Sequence, residues 1–365
     1  MVARPVPPDL LPWAMGSLAS GGGDPALVLE DSDAGDTDAG NEGAAPKLTV
    51  IAGDASNRRY FRLSTGGQTY VIAEAPPETE KNPEFLSVRQ LLAEAGVRVP
   101  SLIAADLDQG YLLLEDLGDR VLLPELNDES VDDYYQQCFS ILHCLARAGE
   151  SAAGLPAYDA ALLGEELSRF PEWFVGKLLG YEPDAAGLAI IEALADRLVE
   201  SSLAQPEVVV HRDFHSRNLM ILDSGELAVI DFQDAVLGPV TYDLVSLLRD
   251  CYIRWPQDRV RGWALAYRDS LVEQGMLESI SDADFLRWFD WQGLQRHIKV
   301  LGTFARLYLR DGKDGYLADL PMVLTYVEEV LAMYAPQEPV FAEFLGWFTR
   351  ELKPLIAQQS WSKAS

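Results

Sequence analysis

Residues Val208–Ala235, VVVHRDFHSRNLMILDSGELAVIDFQDA, decide the fold. Two apolar runs, VVV and LAVI, have the length and β-branched content of short buried strands. Each ends in a cluster of polar and charged residues, and DSGE between them has the composition of a tight turn. Asp213 and Asn218, on the loop after VVV, stand five positions apart, so a compact loop turns both side chains toward one point. Asp231 follows LAVI, eighteen positions after Asp213. That length suits two short strands and a turn, a hairpin expected to return Asp231 beside the same loop.

Three small oxygen-bearing side chains at strand ends are the donors that a hard cation takes, and Mg²⁺ needs only one or two of them because it keeps waters and shares phosphate oxygens. Phosphoryl transfer asks for that arrangement: a held nucleotide, charge neutralised by metal, and an acceptor oxygen aimed in line.

Outward from this stretch the chain divides by pattern. Residues 1–45 form an N-terminal segment; DLLPWAMGSLA within it is a candidate helix. SGGGDPALVLEDSDAGDTDAGNEGAA follows as a flexible acidic insertion without apolar periodicity. Residues 46–118 read as a small antiparallel sheet. LTVIAGDASNRRYFRLSTGGQTYVIAEAPP gives strand, turn, strand, Gly-Gly hairpin and strand. NPEFLSVRQLLAEAG gives a helix with Phe85, Val88, Leu91 and Leu92 on one stripe and Gly96 as its stop. VRVPSLIAADLDQGYLLLEDLGD gives two further strands. Residues 119–340 are mostly helical, interrupted by the quoted strands. Residues 341–365 read as a C-terminal helix and tail. No internal repeat is evident.

Composition excludes several function classes. The 365 residues are 48% hydrophobic, enough for a substantial core, and no apolar run is long enough to span a bilayer. The net charge of −28, from 29 Lys and Arg against 57 Asp and Glu, repels nucleic acid and anionic membranes, so neither is an expected partner. No obligate protein partner is implied. Cys138, Cys144 and Cys251 have no metal-like spacing and, with no secretory signal read at the N-terminus, fit a reducing cytoplasm.

HRDFHSRN and the Asp of DFQD resemble the catalytic loop and metal-binding Asp of the protein-kinase-like superfamily. The His at position 215 narrows the likeness to the aminoglycoside phosphotransferase family, over roughly residues 46–335. The resemblance implies an α+β, bilobal protein-kinase-like fold, with a nucleotide-binding first lobe and a catalytic, substrate-binding second lobe. It makes Asp213 the catalytic base, Asn218 and Asp231 the Mg²⁺ ligands, and ATP the donor. His211, His215 and Asp243 then support the loop. LLLEDLGD resembles the inter-lobe hinge, where backbone at Glu115 and Leu117 pairs with adenine. Gly53, Asp54, Ala55 and Ser56 turn backbone N–H groups toward phosphate. The family's usual lysine on the third strand is absent from VIAEAPP; Arg58, Arg59 or Arg62 is the expected replacement, with Arg58 assigned.

No peptide-docking segment fits between Asp231 and Tyr242, so the acceptor is expected to be a small molecule. GDASNRRYFR, LLLEDLGD, HRDFHSRNLM, LLRDCYIRWP and GLQRHIKVLGTFARLYLRDGK together resemble one subgroup. Its members are bacterial kinases of the anomeric hydroxyl of N-acetylmuramate and N-acetylglucosamine, which yield the α-1-phosphate in peptidoglycan recycling. The alternative acceptor is an aminoglycoside or a choline-like amine. Arg249, Tyr252, Arg254, Trp255, Trp291 and Gln295 are the candidate sugar contacts, with Arg296 beside them, because rings stack on a sugar's apolar face and Arg pairs with a carboxylate.

Overall fold

Alternation along β1 (Lys47–Ile51), β2 (Arg59–Thr65) and β3 (Gln68–Glu74) produces the antiparallel sheet that the sequence predicts. The computed structural model describes residues 5–21, 45–51, 57–149, 152 and 154–363, so the expected phosphate turn Gly53–Ser56 and the acidic insertion lie outside the described residues. Two compact units are present: residues 1–93, 98–120 and 220–233 form one, and the remainder the other.

In the first unit the sheet is completed by β4 (Leu102–Asp106) and β5 (Tyr111–Glu115), in the order β1-β2-β3-β5-β4. Gly66 and Gly67, at φ 58° and 79°, let the β2–β3 hairpin close with Thr65 opposite Gln68. Helix α1 (Leu10–Ala19) buries Leu10 and Ala14 against Phe61, Leu63, Ile72, Tyr111 and Leu113 of the sheet. Helix α2 (Asn82–Glu94) buries Phe85, Val88 and Leu92 of the expected stripe and leaves Leu91 half-buried, and the chain turns at Gly96 with φ 83°.

The second unit is helical around a short ribbon. Its helices are α3 (Val131–Ala148), α4 (Ala160–Arg169), α5 (Ala185–Leu203), α6 (Tyr242–Leu248), α7 (Gln257–Glu273), α8 (Asp282–Asp311), α9 (Leu320–Tyr334), α10 (Pro339–Trp347) and the short α11 (Lys353–Ile356). The ribbon pairs β6 (Glu207–Val210) with β9 (Val236–Pro239). Between them in sequence lie β7 (Leu219–Ile221) and β8 (Leu227–Val229), joined by the expected DSGE turn with Gly225 at φ 84°.

Helix α8 is the axis of the second unit's core. It is capped by Ser281, whose side chain accepts from the Asp284 N–H. Its buried set includes Asp290, Gln292, Gln295, Arg296, His297 and Lys299 alongside the apolar residues. A Cβ at Gly302 would stand 2.3 Å from the Arg169 carbonyl carbon, so only glycine lets α8 press on the end of α4.

Candidate active site

In the second unit, buried Val209 and Val210 of β6 deliver the chain to His211 and then to Arg212, which takes φ 76°. A side chain in that region costs about 1–2 kcal/mol, and such strain persists where surroundings over-determine it. Here the surroundings are explicit. One carboxylate, Asp243 at the start of α6, accepts the His211 N–H at 2.6 Å and the Arg212 N–H at 3.1 Å. Asp243 braces the loop, and His211 Nδ1 accepts the Asp213 N–H at 3.3 Å.

Burial pushes the Asp243 carboxyl up to about 7, the two backbone donors opposing it and the charge of Asp213 adding to it. The folded chain therefore holds a proton between pH 4 and 7 that the unfolded chain has released. That contribution falls as pH rises through the interval and levels off above it. We expect denaturant unfolding at pH 4 to 8 to show the wild-type advantage over Asp243→Asn shrinking from pH 4 to 7. A flat or growing advantage would contradict the raised carboxyl.

The loop from Asp213 to Asn218 is locked from within. The Asp213 carbonyl accepts from the His215 N–H at 3.0 Å and from Asn218 Nδ2 at 3.0 Å. This commits the Asn218 amide nitrogen to the loop and leaves Oδ1 as the side chain's acceptor, the atom type that a hard cation takes. Asp250, buried, accepts the Ser216 N–H at 3.0 Å as well as its hydroxyl. Burial acts to raise the half-buried Asp213 carboxyl, yet the charges of Lys299, His215, Arg296 and Arg212 outweigh it and hold the group at about 2. Asp213 is ionised throughout the physiological range.

Behind the loop is a charge network that the sequence did not announce. Glu166 of α4, fully buried, accepts from Arg212, from Lys299 at 3.0 Å and from the Tyr158 hydroxyl. Lys299 donates in turn to the Tyr242 hydroxyl at 2.9 Å. A Glu in one amphipathic helix and a Lys in another each look like solvent-facing residues, so no local pattern marks either.

The first unit carries the remaining candidates. Asp231 has φ 64° and its Oδ1 accepts from Gln233 Nε2 at 2.8 Å; it and Arg212 are the non-glycine residues at positive φ among those described. Phe232 is buried and stacks on Phe85 at 4.9 Å between ring centroids, which seats this segment on α2. Arg58 is also buried, lies over the Phe85 ring, and reaches Gln233 Oε1 at 3.5 Å and Glu80 at 3.7 Å. Arg59 pairs with Glu74 at the end of β3, where no lysine stands. Arg62 is clamped to Asp116 at 2.6 Å and Asp119 at 2.8 Å. Of the three arginines weighed, Arg58 packs against the segment that carries Asp231.

Glu115 donates its N–H to the Ser101 carbonyl at 2.9 Å, and its side chain binds Arg98 and the Ser101 N–H. Leu117 follows, before Gly118 at φ 84°. Glu115 and Leu117, with Thr69 and Leu222–Ser224, line a concavity of about 560 Å³, the size of a small-molecule site.

The candidate sugar contacts scatter. Arg249 is buried against Asp290, Trp255 donates Nε1 to the Tyr135 hydroxyl at 3.0 Å, and Trp291 packs on Phe341 and Tyr334. Gln295 is fully buried and accepts from Gln292 at 2.9 Å. Arg254 pairs with Glu329 and lies over Tyr326. Arg296 is buried, with Cys251 Sγ at 3.4 Å. Tyr252 alone among the six reaches the catalytic loop, its ring meeting His215 edge-on at 5.3 Å.

Among the described residues no group of three or more His, Cys, Asp or Glu forms a metal cage. An Asn oxygen and a carboxylate, completed by water and phosphate, is the donor set expected of Mg²⁺ in a phosphoryl-transfer site. Also among the described residues, no helix is long and apolar enough to cross a membrane.

Comparison with known proteins gives consistent results. The phosphotransferase enzyme family matches residues 47–278. An N-acetylmuramate/N-acetylglucosamine kinase of Pseudomonas putida is 42% identical over 309 residues, 85% of this chain and 89% of that one. A protein of the same name from Neisseria meningitidis is 40% identical over 300 residues, 81% of this chain and 89% of that one. Among solved structures, a thermostable mutant of aminoglycoside phosphotransferase APH(4)-Ia, in ternary complex with AMP-PNP and hygromycin B, superposes with a TM-score of 0.53. It is 16% identical and covers 78% of this chain and 94% of its own.

Proposed function

From the chain's place in the phosphotransferase enzyme family, to which it belongs, we propose that it is an ATP-dependent kinase of the anomeric C1 hydroxyl of N-acetylmuramate and N-acetylglucosamine. The observation that carries the reading is the 42% identity to a kinase of that name along 85% of the chain. The product is the sugar α-1-phosphate, and a cytoplasmic place in peptidoglycan recycling follows from that chemistry.

Asp213, ionised and aimed by its own loop, orients the C1 hydroxyl and takes its proton as the C1 oxygen bonds to the γ-phosphorus and the bond to the departing ADP oxygen breaks. Asn218 and Asp231 are the residues that would hold Mg²⁺, which supplies neutralisation of phosphate charge. Glu115 and Leu117 would offer backbone to adenine, and Arg58 would stand in for the missing lysine.

A second reading is favoured by the net charge of −28, which suits a cationic acceptor such as an aminoglycoside or choline. ADP release is to be measured with ATP, Mg²⁺ and, separately, N-acetylmuramate, N-acetylglucosamine, glucose, kanamycin and choline. Turnover with the two amino sugars is expected; turnover with kanamycin or choline and with neither amino sugar would replace the first reading by the second.

A further inference from the structure

We infer that Arg217 is the residue that recognises the lactyl carboxylate of N-acetylmuramate, an inference that rests on the amino-sugar reading above. The two sugars differ at C3, where N-acetylmuramate carries a lactyl ether with a carboxylate and N-acetylglucosamine a hydroxyl. A protein with 57 acids against 29 bases must place a cation where that carboxylate arrives. C3 is two ring atoms from C1, so the cation must stand close to the base that acts on C1.

Arg217 lies on the catalytic loop, four residues after Asp213 and directly before Asn218. It is exposed, and among the described residues no carboxylate comes within ion-pairing distance of it. The other arginines weighed in this unit are committed: Arg212 to Glu166, Arg249 to Asp290, Arg254 to Glu329, and Arg296 is buried at Cys251.

Arg217 is also held in place. Its guanidinium carbon sits 3.5 Å from the centre of the Tyr252 ring. Tyr252 is fixed by its N–H on Asp250 at 3.2 Å and by His215 against its ring, and Asp250 anchors Ser216. A guanidinium stacked on an aromatic ring keeps its N–H edge free, and that edge matches a carboxylate bidentately. Asp319 lies near enough to feel the charge of Arg217, which opposes the burial that pushes its carboxyl up to about 6, without a direct ion pair. The cluster Asp213, Arg217 and Tyr252 would thus present a base, a carboxylate receptor and an aromatic support on one loop and its immediate backing.

KM is to be measured for both amino sugars with the full chain, ATP and Mg²⁺, in wild type, Arg217→Gln and Arg217→Lys. The ratio of KM for N-acetylmuramate to KM for N-acetylglucosamine is expected to rise roughly tenfold or more in Arg217→Gln and less in Arg217→Lys, the loss of one charge-assisted contact. The methyl ester of N-acetylmuramate is expected to show a similar penalty on wild-type protein, which keeps the test open should a variant not fold. A ratio within about twofold of wild type, an ester bound as well as the acid, or a KM rise confined to ATP would each overturn the assignment. Wild-type protein that turns over neither amino sugar would instead overturn the acceptor reading and this inference with it.

Discussion

Replacing Asp213 by Asn is expected to lower kcat by about 10²–10⁴-fold, the range of a positioned general base. ADP is expected to bind the variant with ordinary affinity, because the substitution keeps shape and removes only the charge. The size of the loss follows from how the carboxylate is held. Four cationic groups outweigh its burial and keep it at about 2, so it is ionised at every pH at which the protein is assayed. An amide there carries no negative charge and cannot take the acceptor's proton, and the acids behind the loop are engaged elsewhere: Glu166 with Arg212 and Lys299, Asp243 with the His211 and Arg212 N–H groups, Asp250 with Ser216. Single-turnover kinetics with titration calorimetry of ADP separates the two effects. Near-normal turnover would remove Asp213 from the mechanism. It follows too that an acid limb of kcat above pH 5 belongs to a group other than Asp213.

The largest stability loss is expected at Glu166. Its side chain is fully buried and shared by a guanidinium, an ammonium and a phenol. Removing one partner of a buried ion pair costs about 3–5 kcal/mol, since the remaining charge is left without compensation. Glu166→Gln keeps the volume and strands both Arg212 and Lys299, and the thermal midpoint is expected to fall on the order of 10 °C. Adding Lys299→Met is expected to restore part of the loss, because a neutral replacement of a buried pair is often tolerated. A calorimetric midpoint for Glu166→Gln within about 2 °C of wild type would mean that the network carries little stability.

The architecture was legible wherever one face of an element is wet. Period-two alternation and a Gly-Gly turn defined β2 and β3, and the register with Thr65 opposite Gln68 is the one those glycines demand. The stripe Phe85, Val88, Leu92 defined α2. TYDLVSLLRDCYIRW reads as one helical run, yet α6 stops at Leu248 and the chain runs irregularly past Cys251 before α7 begins at Gln257. Helix α7 is harder to read, because Val260, Ala264, Tyr267 and Leu271 carry the right spacing but stand between charged neighbours.

The site was legible in its motif and opaque in its support. Asp213, Asn218 and Asp231 are identifiable because loop chemistry concentrates in a short stretch. Glu166, Asp250 and Lys299 are contributed by distant segments, and their burial depends on packing around α8, which is covered on every side over residues 289–302. The same coverage explains the scatter of the sugar candidates. Trp291 on α8 and Trp255 in the irregular segment before α7 are rings that pack inside the protein, and Arg249 forms an ion pair within it. Arg217 was passed over because one basic residue inside a catalytic motif resembles ordinary loop composition.

Arg212 and Asp231 both hold a backbone shape that glycine adopts freely. Laboratory evolution for heat tolerance would find relief of that strain rewarding at either position. At residue 212 the exchange would also discard the cation bound to Glu166, so any gain is offset within the same molecule. At residue 231 it would remove the carboxylate that accepts from Gln233 Nε2. In both places relief of strain and loss of a side-chain contact arrive in the same substitution, so selection for heat tolerance alone would meet a ceiling set by the loops themselves.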